Sequence, residues 1–179
     1  MKKFVSILLC LALLLSCAAA LAETAEKAEV KVNDGLTLRA VIPDGYEMID
    51  LTDDDSILYL LGSEDETKPL LLLSLGLDDA WPVGTKLNNL SDEDLKEIEN
   101  SKFLAYDPDA EITYTETAHG TKLLVATQAD KSMVIFYTLY EGYEIEFDLT
   151  MADGTTLAQE QIDTCVKFLS DLDLVFAEK

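Results

Sequence analysis

Four strand-like runs between residues 111 and 151 constrain this chain more than any other feature. They are Glu111 to Ala118, Thr121 to Ala129, Ser132 to Tyr140 and Tyr143 to Met151, separated by the dipeptides His119-Gly120, Asp130-Lys131 and Glu141-Gly142. Two-residue breaks join antiparallel neighbours, so the runs predict an up-and-down meander. If each dipeptide is a whole loop, Tyr140 lies opposite Tyr143 and the other pairs follow. One face then gathers Ile112, Tyr114, Leu123, Val125, Val134, Phe136, Tyr140, Tyr143, Ile145, Phe147 and Leu149. The other gathers Thr113, Thr115, Thr117, Leu124, Ala126, Met133, Ile135, Tyr137 and Leu139, with Glu144, Glu146 and Asp148 along the last strand. An apolar stripe on that second face should not stay bare, so another element must cover it. The three acids read either as a solvated strand face or as an acidic stripe offered to a basic partner.

The remaining elements suit a mixed fold. Leu36 to Ile42 alternates as a strand after the turn Asn33-Asp34-Gly35, and Pro43-Asp44-Gly45 stops it. Tyr46 to Leu51 reads as another short strand. Ser56 to Leu61 and Pro69 to Leu75 are apolar on both faces, as in strands buried on both sides. Ser91-Asp92-Glu93-Asp94 opens a helix with a capping box, and Leu95, Ile98, Lys102 and Phe103 mark one face of it. A last helix spans about 157–170, with Thr156 and Gln159 as its box and Ile162, Cys165, Val166 and Leu169 as its apolar face. Residues 171–176 close the fold as a strand. One sheet with two apolar faces and two helices predicts an α+β fold, a three-layer α/β/α sandwich built on a mainly antiparallel sheet.

Ile42-Pro43-Asp44-Gly45-Tyr46 after a first strand resembles the Pro-x-Gly-aromatic opening of the Mog1/PsbP-like domains. The block Lys122 to Thr150, then Glu160-Gln161-Ile162 and Lys167-Phe168-Leu169-Ser170, is similar to how those chains end. The resemblance covers roughly residues 36–176 and rests on element order more than on a motif. It implies an antiparallel sheet flanked by helices, and no activity. Eukaryotic Mog1 proteins bind a small GTPase and plant PsbP proteins serve photosystem II. No functional residues of either match here, and an exported acidic protein fits neither role.

The N-terminus has the layout of a secretory signal. Lys2 and Lys3 precede an uncharged run from Phe4 to Leu15, and Ala20-Leu21-Ala22 offers small residues before Glu23. Cleavage between Ala22 and Glu23 is expected. The alternative is a lipobox at Leu14-Leu15-Ser16-Cys17, which would make Cys17 a lipidated first residue and anchor the chain to a membrane. Residues 1–22 then form a signal peptide, 23–34 a flexible leader and 35–179 a single α/β domain. Cleavage removes two lysines and no acid, taking the net charge from −22 to −24. Such an excess of acid excludes nucleic-acid binding through phosphates. Only Cys165 survives cleavage, so the mature chain has no internal disulfide.

Residues with obvious chemistry are few. His119 is the only histidine and sits beside Gly120 in a turn, and no nucleophile elbow or His-Glu-x-x-His motif is present. No catalytic residue, cofactor or metal site is assigned. Asp107-Pro108-Asp109-Ala110-Glu111 starts like a calcium loop but has Ile112 at the sixth position and Ala118 at the twelfth. Asp53-Asp54-Asp55, Glu64-Asp65-Glu66 and Asp78-Asp79 read as solvated turns, with weak calcium binding as the other reading. Trp81, in a loop with Pro82 and Gly84, is either a plug over the core edge or a ligand anchor. With Tyr59 and Tyr137 it forms the candidate ligand-binding set. The expectation is an exported bacterial binding or accessory module, secreted or at the cell envelope, whose partner is a protein, a glycan or a small ligand. A hydrolase of cell-wall or dietary polymers and a weak calcium-binding surface domain are the alternatives.

Overall fold

The computed structural model describes residues 27–31, 36–52, 57–76 and 81–176. Within them the chain has a mixed α+β fold with two antiparallel sheets. The larger has seven strands in the order β3-β4-β5-β9-β8-β7-β6: β3 Glu47–Asp50, β4 Ile57–Gly62, β5 Leu70–Gly76, β6 Glu111–Glu116, β7 Lys122–Thr127, β8 Met133–Tyr140 and β9 Tyr143–Thr150. The smaller has the order β1-β2-β10: β1 Lys27–Lys31, β2 Leu36–Val41 and β10 Asp173–Phe176. The chain therefore builds two sheets where one was expected. Helix α1 covers Asp92–Ile98 and widens into a π-helical stretch, Glu99–Leu104; helix α2 is Gln159–Ser170. Among the described residues no helix is long and apolar enough to cross a membrane.

The meander forms, with one strand turned over. Tyr140 pairs with Tyr143, Phe136 with Phe147 and Val125 with Phe136, as two-residue loops require. Glu116, however, pairs with Lys122, so the β6–β7 connection is the five-residue turn 117–121. Buried Thr117 organises that turn: its Oγ1 accepts from the Thr121 and His119 amides. The one-residue change of register flips every side chain of β6. Ile112 and Tyr114 thus stand beside Ala126 and Leu124 on the second face, while Thr113 and Thr115 take the first.

Each face of the large sheet has its own core. On the first, Leu71, Leu73, Leu123, Val125, Phe136 and Phe147 pack with Leu36 and Leu38 of β2 and with Ile162, Cys165 and Leu169 of α2. On the second, Leu124, Ala126, Tyr137 and Leu139 pack with Leu87, Leu95, Ile98 and Phe103. Leu58, Leu60, Leu70 and Leu72, on the outer side of β4 and β5, stand outside this cluster and are only half-buried. The expectation that these two strands are buried on both sides fails, whereas β7 and β8 bury residues on both faces.

Two boundaries also differ. Lys27–Lys31, within the segment read as a flexible leader, pairs along its length with β2, and its alternation lets Val30 bury in the first core. Helix α2 starts at Gln159, not 157. Ala158 takes the cap position and has no side-chain acceptor, so only the back half of a capping box exists: Gln161 Oε1 accepts from the Ala158 amide at 2.8 Å. The box read at Thr156 and Gln159 is displaced by two residues, because Leu157 buries fully and draws the chain inward. Helix α1 starts as its sequence predicts, with Ser91 capping Asp94 N and Asp94 returning a bond to Ser91 N.

Candidate functional site

The period of two along β9 puts Glu144, Glu146 and Asp148 on the second face, opposite Leu139, Tyr137 and Ile135 of β8. Flanked by an apolar or aromatic neighbour, each acid loses part of its hydration. Helix α1 crosses the same face. Phe103 buries edge-on against Tyr137, with ring centroids 5.8 Å apart at 72°. Lys102 Nζ lies 2.6 Å from Glu144 Oε2, and the Tyr137 hydroxyl donates to Glu144 Oε1 at 2.9 Å. Both oxygens of Glu144 are therefore engaged.

The third wall is the loop that carries Trp81. Thr85 ties it together by donating from Oγ1 to Pro82 O at 2.6 Å. The loop is fastened to the β8–β9 turn by Gly142 N donating to Thr85 O at 3.0 Å and by the Lys86–Glu141 ion pair at 3.1 Å. Lys86 Nζ also lies 4.3 Å from the centre of the Tyr140 ring. Gly142 is required twice over. It sits at φ +86, and a Cβ there would come within 3.0 Å of Trp81 O and 3.1 Å of Pro82 O.

These walls enclose a cleft of about 680 Å³, lined by Trp81, Glu97, Ile98, Lys102, Ile135, Glu144 and Glu146 among others. Its electrostatics are unbalanced. Among the described residues Lys102 is the one cation of the lining, and it is paired to Glu144. Burial pushes the Glu146 carboxyl up to about 7, and the Asp148 carboxylate beside it pushes the same way. Burial raises Asp148 as well, and its Oδ1 is buried with no hydrogen-bond partner among the described residues. The acids of β9 are thus not the solvated strand face that the sequence also allowed.

Of the candidate ligand-binding residues, the fold brings two together. Trp81 is half-buried, packs on the second core and lines the cleft, so it is core plug and cleft wall at once. Tyr137 is fully buried beneath the cleft and reaches it through Glu144. Tyr59 does not belong with them. It pairs with Leu73 and packs in the first core, on the opposite side of the sheet. His119 is remote from the cleft, in the 117–121 turn, with Nδ1 3.9 Å from Asp173 Oδ1. Cys165 is buried in the first core, and burial pushes its thiol up to about 12, away from nucleophile chemistry.

Lys102 and Glu97 were not singled out from the sequence as site residues. The available signal was Lys102 itself, a cation on the apolar face of α1 above a row of acids. Ala22, Glu23 and Cys17, and the acidic runs Asp53-Asp54-Asp55 and Asp78-Asp79, lie outside the described residues. Among the described residues no group of three or more His, Cys, Asp or Glu side chains is placed to hold a metal ion. No protein-family model matches the chain, and no curated protein matches it in sequence.

Proposed function

We propose that this chain is an exported bacterial binding or accessory module, secreted or held at the cell envelope, whose cleft beside Trp81 takes a cationic group of its ligand. The observation that carries this reading is the unbalanced charge of the cleft. Among the described residues Glu97 has no ion pair and Glu146 feels Lys102 without pairing to it, while Lys102 is already paired to Glu144. An amine or guanidinium entering there would supply the missing charge, with an indole ring alongside. Export rests on the basic, apolar and small-residue order of residues 1–22, with lipidation at Cys17 as the alternative attachment. The resemblance to Mog1/PsbP-like domains remains a proposal about the fold. It is supported by helix α2 packing in the core of one face and α1 in that of the other, an α/β/α layering.

Calorimetric titration with agmatine, spermidine and a lysine-rich peptide tests the reading. Saturable binding by at least one probe, weakened about tenfold by Glu146→Gln, is expected. Heats of dilution alone from all three would reject it.

A second reading is favoured by one observation. A half-buried carboxyl raised to about 7 is suited to proton donation, so Glu146 could serve a hydrolase as general acid. Turnover of a polysaccharide or peptidoglycan fragment that vanishes in Glu146→Gln would establish it. No turnover across such a panel leaves the binding reading.

A further inference from the structure

A second cavity lies on the opposite face of the sheet, and its chemistry differs from that of the Trp81 cleft. It measures about 460 Å³ and sits between helix α2 and the turns around residues 43–46 and 67–69. Tyr46, Leu61, Leu71, Leu149, Cys165 and Phe168 form its apolar walls. Past Leu61, Leu71 and Phe168 it continues into a narrow crevice lined by Ile42, Met48 and Tyr59. The cavity opens to solvent between exposed Asp44, Thr67, Glu160 and Thr164, its volume lies within the range of small-molecule sites, and its apolar inner walls favour hydrocarbon.

The polar groups at the mouth restrict the ligand further. Gln161 is spent: Oε1 accepts from Ala158 N, and Nε2 donates to Thr67 O and to Met151 Sδ. Thr164 Oγ1 donates to Glu160 O. Lys68 has capacity left. Its Nζ lies 5.3 Å from the centre of the Tyr46 ring and donates to Asp44 O at 3.3 Å, which uses one of three N–H groups. The turn Pro43-Asp44-Gly45-Tyr46 makes room for it. Gly45 holds φ +76, and a Cβ there would lie 2.8 Å from Lys68 Nζ. Asp44 and Glu160 also border the mouth, so a polyanionic head is disfavoured while one acceptor oxygen at Lys68 is accommodated.

We propose that this cavity binds a single acyl chain, its hydrocarbon lying along α2 and its carbonyl or carboxylate oxygen accepting from Lys68. Decanoic acid and monodecanoylglycerol, both below their aggregation limits, are the probes for calorimetry on the purified protein. One-site binding of at least one is expected, and which one binds tells a free acid from an ester. Lys68→Met should weaken binding about fivefold or more. Thr164→Trp, at an exposed helix position on the mouth, should abolish it with the fold retained. Binding by neither probe, or undiminished binding in folded Thr164→Trp, would overturn the proposal. Should Thr164→Trp not fold, the smaller Thr164→Phe at the same exposed position takes its place, and undiminished binding there would overturn the proposal equally.

Discussion

At the scale of single residues, Glu146 is the most consequential side chain in the cleft. Its carboxyl is raised from 4.5 to about 7, so the folded state holds a proton that the unfolded chain has released. Where the folded state binds more protons, stability falls as pH rises. The penalty is absent below about 4.5, grows between 4.5 and 7, and is constant above 7. Glu146→Gln should therefore stabilise the protein at pH 8 by about 1–2 kcal/mol, after allowance for solvent screening of a partly exposed group. At pH 4 the two proteins should melt together. Thermal melts at both pH values check this, and an equal gain at both would show that Glu146 is not held protonated. The same titration sets the pH dependence of ligand binding. A cationic ligand prefers ionised Glu146, so its affinity should rise up to about tenfold from pH 6 to pH 8, and that rise should vanish in Glu146→Gln.

At the scale of elements, the cleft depends on how well one turn is made. Glu141 and Gly142 both take positive φ, 53 and 86, as a two-residue hairpin loop requires. The Trp81 loop then lies directly on Gly142. Gly142→Ala should cost about 2–3 kcal/mol, from left-handed strain and from separating the loop from the turn. Denaturant melts measure the loss, and a red shift in Trp81 emission should accompany it. A loss below about 0.5 kcal/mol would mean the two segments are not in contact.

The elements also show where sequence is informative. Strands β7 to β9 are legible because their dipeptide turns leave one register, in which large residues align on both faces and the β9 acids on one. Strand β6 escapes because its alternation of Ile112 and Tyr114 with threonines fits either face, and Thr117 decides between them through hydrogen bonds that no pattern encodes. Strand β1 is hidden because Lys27-Ala-Glu-Val-Lys31 is too polar to stand out, and only pairing with β2 gives Val30 a core to enter. Of the site, Trp81 and the row of acids on β9 were visible separately. Their meeting was not, since it depends on α1 crossing the sheet and on Lys102 reaching back to Glu144.

At the scale of the whole molecule, the acidity has a location. Many of the described carboxylates serve turns and helix starts, Asp92, Glu93 and Asp94 at the first turn of α1 among them. Asp65, Asp130 and Asp153 each accept from a side chain and an amide two residues on, which lowers their pKa and fixes local turns. Those on β9 are different. They are held in a half-buried row, one neutralised by Lys102 and two raised by burial. The molecule thus presents an unbalanced polar cleft on one side of its large sheet and an apolar cavity on the other. The two should fill independently, because the packed strands between them leave no shared lining residue.

The most direct test of the cleft uses the single tryptophan of the chain, which stands in its wall. Trp81 emission titrated with agmatine or spermidine at pH 8 reports that wall alone. A saturable change in intensity or wavelength is expected, lost in Glu146→Gln and weakened at pH 6. Emission that does not respond to any cationic probe, or responds identically in Glu146→Gln, would contradict it.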